Sequence, residues 1–270
     1  IFVALLCTML ITPAEAKTWY VDDDGGADFT TIQAAVNSAS SGDTIYVYTG
    51  TYYSFEIAIP YLTIKGEGPD LVTVNGRIDL PKASIYANAT GTVLEGMRIT
   101  TEPLIDKYRP ALDITIRDCV FDGLPTINLY ADRTTFENNV ISNSTRCFAL
   151  SIKGNSCIVA NNSIKYNNVL GTYEGAVYLY KNVANNTIKN NRIESNNGGF
   201  FFYNPGNDNK IYSNSVSNNT KTAAIVGTVS SLIFWNSTTP IKYTYNGQTY
   251  TGYMGNYWSD YTGTDADGDG

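Results

Sequence analysis

No histidine occurs among the 270 residues of this chain. That removes the commonest general base, and with it Ser–His and Cys–His nucleophile systems. Acid–base chemistry would have to come from the 25 aspartates and glutamates. Glycoside cleavage needs two carboxyl groups at a fixed separation, roughly 5 to 9.5 Å. Binding has better material, because 21 tyrosines and 10 phenylalanines are present. Flat rings stack on the C–H faces of sugars, and tyrosine adds a hydroxyl for hydrogen bonding. Near the C-terminus, Asp265-Ala266-Asp267-Gly268-Asp269-Gly270 matches the first six positions of a D-x-D-x-D-G calcium loop. The later bidentate carboxylate would fall past Gly270, so this half-loop is expected to hold calcium weakly or not at all. An acidic, glycine-rich linker is the competing reading. Asp22-Asp23-Asp24 reads as a polar lead-in rather than a second site.

Which side chains can meet is decided by a repeat. Aligned on Met97, Cys119, Asn139, Asn162, Asn191, Asn214 and Asn236, seven units follow one another at spacings of 22, 20, 23, 29, 23 and 22. Three positions before each marker stand Leu94, Ile116, Phe136, Val159, Ile188, Ile211 and Ile233. Two positions after stand Ile99, Phe121, Ile141, Ile164, Ile193 and Val216, then Thr238, where the pattern fades. The units are too short for two helices and rich in residues that suit strands and tight turns. Self-similarity at this period predicts a solenoid, here a parallel β-helix. Asn at the marker tolerates the left-handed bend, and stacked rungs about 4.8 Å apart would make an amide ladder of the column.

The columns test for paired carboxylates. Two before the marker run Glu95, Arg117, Glu137, Ala160, Lys189 and Tyr212; three after run Thr100, Asp122, Ser142, Lys165, Glu194 and Ser217. Neighbours alternate in sign, as Glu95–Arg117–Glu137 and Lys165–Glu194 do, which predicts a charge ladder. Only loop carboxylates such as Asp132 and Glu174 escape this test. A second strand places Ile127/Leu129, Phe148/Leu150, Val177/Leu179, Phe200/Phe202 and Ala223/Ile225 inward. Alternation then sends Asn128, Ala149, Tyr178, Phe201 and Ala224 outward, with Tyr130, Ser151, Tyr180, Tyr203 and Val226 beside them. The outward aromatics Tyr130, Tyr178, Tyr180, Phe201 and Tyr203 are the candidate carbohydrate-binding residues. A surface ladder of rings stacked on one another is the alternative.

Charged residues make up 16% of the chain and the net charge is −7. Lysine and arginine form no stripe, so a nucleic-acid backbone is not an expected partner. Ile1–Ile11 is a short apolar run followed by Pro13 and Ala14-Glu15-Ala16. It reads as a secretory signal peptide over 1–16, with a buried first strand as the alternative. No other segment could span a membrane. Cys7 lies in that leader. Cys119 is expected in the stack, while Cys147 and Cys157 either pair or stay free, and the spacing carries no metal signature. Six Asn-x-Ser/Thr sequons occur, at Asn88, Asn143, Asn161, Asn185, Asn218 and Asn236. Asn161 and Asn236 compete with the ladder for the same columns.

Phe29, Ile32, Val36 and Ala39 recur at helical spacing behind Asp28 or Thr30 as N-cap. A short helix here would cover one end of the solenoid. The surrounding segments GGADFTTIQAAVNSASSGDTIYVYTGTY (25–52) and YLTIKGEGPDLVTVNG (61–76) resemble the opening of secreted right-handed β-helix proteins. With GYMGNYWSDYTGTDADGDG (252–270), the chain is similar to NosD-like proteins, the carbohydrate-binding and sugar-hydrolase type of β-helix found on archaeal cell surfaces. The resemblance implies a right-handed, pectin-lyase-like β-helix and brings in a copper-associated role. Copper is best held by His, Cys and Met. With no His, and with three scattered Cys and Met97 and Met254 after the leader, the donor set speaks against copper. The Gly-His-Gly motif of polygalacturonases and the Gln and paired-Asp motifs of pectin methylesterases are missing, so no catalytic residue carries over.

The expected architecture is all-β: a leader over 1–16, a cap and first strands over 17–60, and rungs over 61–240. A Tyr/Gly-rich C-terminal cap with the Asp-rich half-loop fills 241–270, with Trp258 as its plug. The expected function is a secreted or cell-surface, non-catalytic module that binds a polysaccharide or serves as an envelope scaffold. A lyase or hydrolase with loop-borne carboxylates is the second reading, and copper delivery the third.

Overall fold

The computed structural model describes residues 15–80, 89–100, 104–105, 112–167, 175–226 and 233–264. Residues 1–14 of the expected leader, Asn88, Glu174 and the Asp265, Asp267 and Asp269 half-loop lie outside the described residues. The chain winds as a parallel β-helix. A ten-stranded sheet runs from Thr18–Val21 to Ile233–Phe234, and a nine-stranded sheet from Gly50–Tyr52 to Tyr257–Trp258. The third face holds a three-stranded sheet followed by a five-stranded one. Each coil visits the faces in turn. Among the described residues every inter-rung pairing is parallel, and the one antiparallel pair is the hairpin Ile241–Tyr245 with Gln248–Gly252.

Two apolar columns carry the core. Ile45, Ile64, Leu94, Ile116, Phe136, Val159, Ile188 and Ile211 stack in register along the first face, all at 0% exposure. Ile99, Phe121, Ile141, Ile164, Ile193 and Val216 do the same along the second. Both are the columns expected from the repeat. Truncating one such side chain costs about 2–5 kcal/mol through lost burial and the cavity left behind.

The marker asparagines build the ladder but do not make the bend. The left-handed residue is the one before: Gly96, Asp118, Asn138, Asn161, Asn190 and Ser213 all have φ between 54° and 70°. The markers Asn139, Asn162, Asn191 and Asn214 are buried, and each Oδ1 accepts the main-chain N–H of the previous rung's marker, at 2.9–3.0 Å. A parallel ladder runs Ser144–Asn167–Asn196–Asn219 at the end of the second strand. A third runs Cys157–Asn186–Asn209. Side chains therefore satisfy polar groups that the corners would otherwise leave buried and unpaired.

The last unit departs from the expected register. Ile233 pairs with Asn209, not Ile211, a slip of two residues. Asn236 is exposed, and Asn256 takes the ladder position beside Asn214. Trp258 enters opposite Val216 and packs on Phe200 and Trp235, at 6.2 and 5.8 Å between ring centroids. At the other end a helix spans Ile32–Ser38 and buries Ile32, Ala35 and Val36. Its N-cap is Thr31, whose hydroxyl accepts from Ala34, rather than Asp28 or Thr30. Phe29 cannot join the helix because its backbone bonds to Tyr20 and Asp22 and bridges to Val21.

Candidate functional site

The five-stranded sheet sets the candidate site. Its inner columns are Ile127–Leu150–Val177–Phe200 and Leu129–Ile152–Leu179–Phe202; Ala223 and Ile225, expected inward, continue them in register but are exposed on the sheet's last strand. Between them, facing out, run Asn128, Ser151, Tyr178, Phe201 and Ala224. The next residues along the strands, Tyr130, Lys153, Tyr180 and Tyr203, form the neighbouring outer column. The structure thus brings all five expected aromatics onto one sheet, with two changes of position. Lys153 stands where Ser151 was expected, and Ser151 moves between Asn128 and Tyr178.

A local bend produces the change. Ala149 and Leu150 are consecutive and both lie in the core, as do Ala176 and Val177. The successive N–H groups of Ala176 and Val177 donate to Gly198 and Gly199 at 2.7 and 3.0 Å. Two inward residues in a row break the alternation, as a β-bulge does. Phe148, expected inward, therefore lies on the outer face, and Ala149, expected outward, is buried. The ring of Phe148 stacks on Tyr178 at 4.1 Å with 20° between planes, and reaches Phe201 at 5.5 Å. Tyr178 also meets Phe201 and Tyr180 edge-on, at 5.5 and 5.8 Å.

These rings form a floor and a rim. Tyr178 and Phe201 are 8% and 4% exposed, whereas Tyr180 and Tyr203 are 45% and 38% exposed. Burial, together with the nearby Tyr180 and Tyr203 hydroxyls, pushes the Tyr178 hydroxyl up to about 12, so it stays a neutral donor at physiological pH. Tyr130 is half-buried against the core. Its hydroxyl accepts from Lys153 Nζ at 2.8 Å, and the ammonium lies 4.4 Å from the Tyr130 ring centre and 5.7 Å from that of Tyr180. Beside the floor opens a groove of about 410 Å³, lined among others by Thr126, Arg146, Phe148, Ser151, Lys153 and Tyr180. That size falls within the roughly 300–1,000 Å³ of small-ligand sites. Ser151 is 1% exposed and its Oγ has no hydrogen-bond partner. A buried hydroxyl left in this state costs free energy until something bonds to it.

None of the described residues lining this groove is Asp or Glu. Asp132 is occupied elsewhere, accepting from the backbone and side-chain amides of Asn155 at 2.7 and 3.2 Å. On the first face Glu95 is clamped by Lys65 at 2.9 Å and by Arg117, whose Nε donates at 2.6 Å. Burial opposes its ionisation, but those bonds outweigh burial and hold the carboxyl below the usual carboxylate range. Part of the expected charge ladder is therefore real. The Lys165–Glu194 step is not: Glu194 pairs with Arg192 of its own strand at 2.6 Å.

The sequence places the chain among known proteins. The pattern of the family described as periplasmic copper-binding protein (NosD) matches residues 36–263. The chain belongs to the NosD family. None of the curated proteins matches it. Among solved structures, this NosD-family solenoid is similar to the catalytic unit of a thermostable GH87 α-1,3-glucanase from Streptomyces thermodiastaticus strain HF3-3. The identity is 17% and the TM-score 0.53, over 82% of this chain and 44% of that one. It is similar also to the Agl-KA catalytic domain, at 18% identity and a TM-score of 0.53, over 84% of this chain and 47% of that one. Likeness at these identities shows the fold alone, and the chain spans less than half of either catalytic unit.

The family description raises copper, and the side chains present do not fit it. Cys119 and Cys157 are buried, and their thiols donate to backbone carbonyls. Burial pushes them up to about 12 and about 11, far from the thiolate a metal requires. Met97 is fully buried, and the exposed Cys147 has no second soft donor in its groove. Among the described residues, the one cluster of three possible ligands is Asp22, Asp23 and Asp24, all hard oxygen donors. Asp23 is already engaged, accepting from the Thr51 amide at 2.9 Å. No helix among the described residues is long and apolar enough to cross a membrane.

Proposed function

We propose that the chain is a non-catalytic module of the cell exterior that binds polysaccharide across the outer face of its five-stranded sheet. The observation that carries this reading is the aromatic floor with its exposed rim, set against a groove that holds an unpaired serine hydroxyl. Sugar rings have apolar faces for Tyr180 and Tyr203 and hydroxyls for Ser151, so they match both halves of the surface. A repeat spacing of about 4.8 Å between rungs also suits an extended chain better than a compact ligand. The non-catalytic part rests on the acids: glycoside cleavage needs two placed carboxyl groups, and the described residues of the groove lining supply none. The fold is shared with an α-1,3-glucanase catalytic unit, which is compatible with a glycan role; the site itself carries the argument.

Polysaccharide depletion and glycan-array binding test this reading. Wild-type protein is expected to bind at least one polymer class, and Tyr180→Ala and Tyr203→Ala are each expected to weaken it about tenfold, the worth of one lost ring stack. Release of new reducing ends or of unsaturated uronides from a bound polymer would establish the lyase or hydrolase reading instead.

A further inference from the structure

The geometry points to an acidic glycan: the groove selects polysaccharide bearing carboxylates, through Lys153 and Arg146. This rests on the carbohydrate reading above and names the substrate class of the same site. The chain as a whole carries a net charge of −7, yet among the described residues the groove is lined by two cations and no acidic residue. Neither cation is neutralised, since among the described residues no carboxylate lies within ion-pair distance of Arg146 or Lys153. Elsewhere on the solenoid Lys65 and Arg117 pair with Glu95, Arg133 with Asp113 and Arg192 with Glu194, whereas Lys165, Lys189 and Lys210 form no ion pair among the described residues; what sets Arg146 and Lys153 apart is that they share one groove.

The two groups are suited to different parts of the task. Lys153 is half-buried and held in place by Tyr130, which uses one of its three ammonium protons. The remaining two can donate. Packed beside aromatic rings and partly shielded from water, this charge attracts an anion more strongly than a fully exposed lysine would. Arg146 is exposed at the groove edge and offers a planar fork that matches a carboxylate. Ser151 Oγ, buried at the floor and unpartnered, supplies the hydroxyl contact that positions the sugar ring. A uronic acid residue carries all three complements: a carboxylate, ring hydroxyls and an apolar face.

Calorimetry with the whole chain separates this from plain sugar binding. The probes are oligogalacturonate, its fully methyl-esterified form and a neutral maltooligosaccharide of equal length. Oligogalacturonate is expected to bind about tenfold or more tighter than the other two at low salt, the effect of a charge-assisted hydrogen bond, with the advantage shrinking as NaCl is raised. Arg146→Gln and Lys153→Gln are each expected to reduce that preference about fivefold or more, and Lys153→Arg to keep it. Unchanged melting temperatures confirm that the variants fold. Equal affinity for the acid and its ester, or a preference untouched by both charge variants, overturns this inference and leaves the carbohydrate reading standing. If none of the three probes binds, and glycan arrays show no other ligand, both fall.

Discussion

At the scale of single residues, two polar groups inside or beside the core have roles that can be measured. Asn191 Oδ1 accepts from both the backbone and the side-chain amide of Asn162, at 2.9 Å each. Its Nδ2 donates to Val159 and Asn214, again at 2.9 Å. Asn191→Ala strands buried donors and acceptors on two rungs, so it is expected to cost on the order of 3 kcal/mol in chemical denaturation. Asn191→Asp keeps the size but loses the donors, and is expected to be comparably destabilising at neutral pH. Glu95 gives a pH signature. Its folded-state carboxyl titrates below the unfolded one, so its contribution is complete above about pH 4.3 and is lost as pH falls through the folded value. Glu95→Gln is expected to lower stability by about 1–3 kcal/mol at pH 7 and by much less near pH 3. Melting curves between these limits check it; the acid limb becomes shallower but does not vanish, because Asp43 and Asp113 are depressed in the same direction.

At the scale of elements, the strand Phe148–Ile152 decides what the site is. Where it meets Gly175, the rungs approach so closely that a Cβ on that glycine would lie 2.8 Å from Phe201 Cβ and 3.1 Å from its backbone nitrogen. Gly175→Ala is therefore expected to cost about 1–3 kcal/mol and to weaken glycan binding, since the strain falls on the aromatic floor. A thermal melt paired with one binding isotherm reads both effects. The same strand shows how far sequence reasoning reached. Rung columns were legible because Leu94 to Ile211 repeat with little variation, and the aromatic strip followed from alternation. The bend at Ala149–Leu150 was not legible, because alternation assumes one residue per side, and so Lys153 and Phe148 were missed as site residues. One signal did exist: the spacing from Leu129 to Thr135 recurs from Ile152 to Ile158, which counts back to the correct register. The final slip at Ile233 and the move of the ladder to Asn256 had no such cue, since the chain reaches Asn256 only after an intervening hairpin.

At the scale of the whole molecule, every rung contacts only its neighbours, so stability is built by stacking and the ends matter most. The helix Ile32–Ser38 closes one end, and Trp235 and Trp258 lie over Phe202 and Phe200 at the other. The sequons share this logic. Asn143, Asn161, Asn185 and Asn218 each occupy an exposed left-handed corner, followed by a ladder residue, buried in the first three and half-buried at Asn219, and then by a strand residue or turn threonine. An Asn-x-Ser/Thr triplet is what such a corner asks for, so the scaffold alone accounts for these four motifs.

The amide ladders also give the protein a mechanical direction. Along the solenoid axis, rung is joined to rung by short parallel bonds and by columns of buried asparagine that must be broken together. Under tension on the chain termini the end rungs, each held by a neighbour on one side only, give way first, so coils would peel away one at a time. Each would release about 80 Å of chain, the extended length of the 23 residues between Asn191 and Asn214. Such a solenoid would in this way yield to stretching by releasing length in nearly equal steps while the remaining rungs keep their shape.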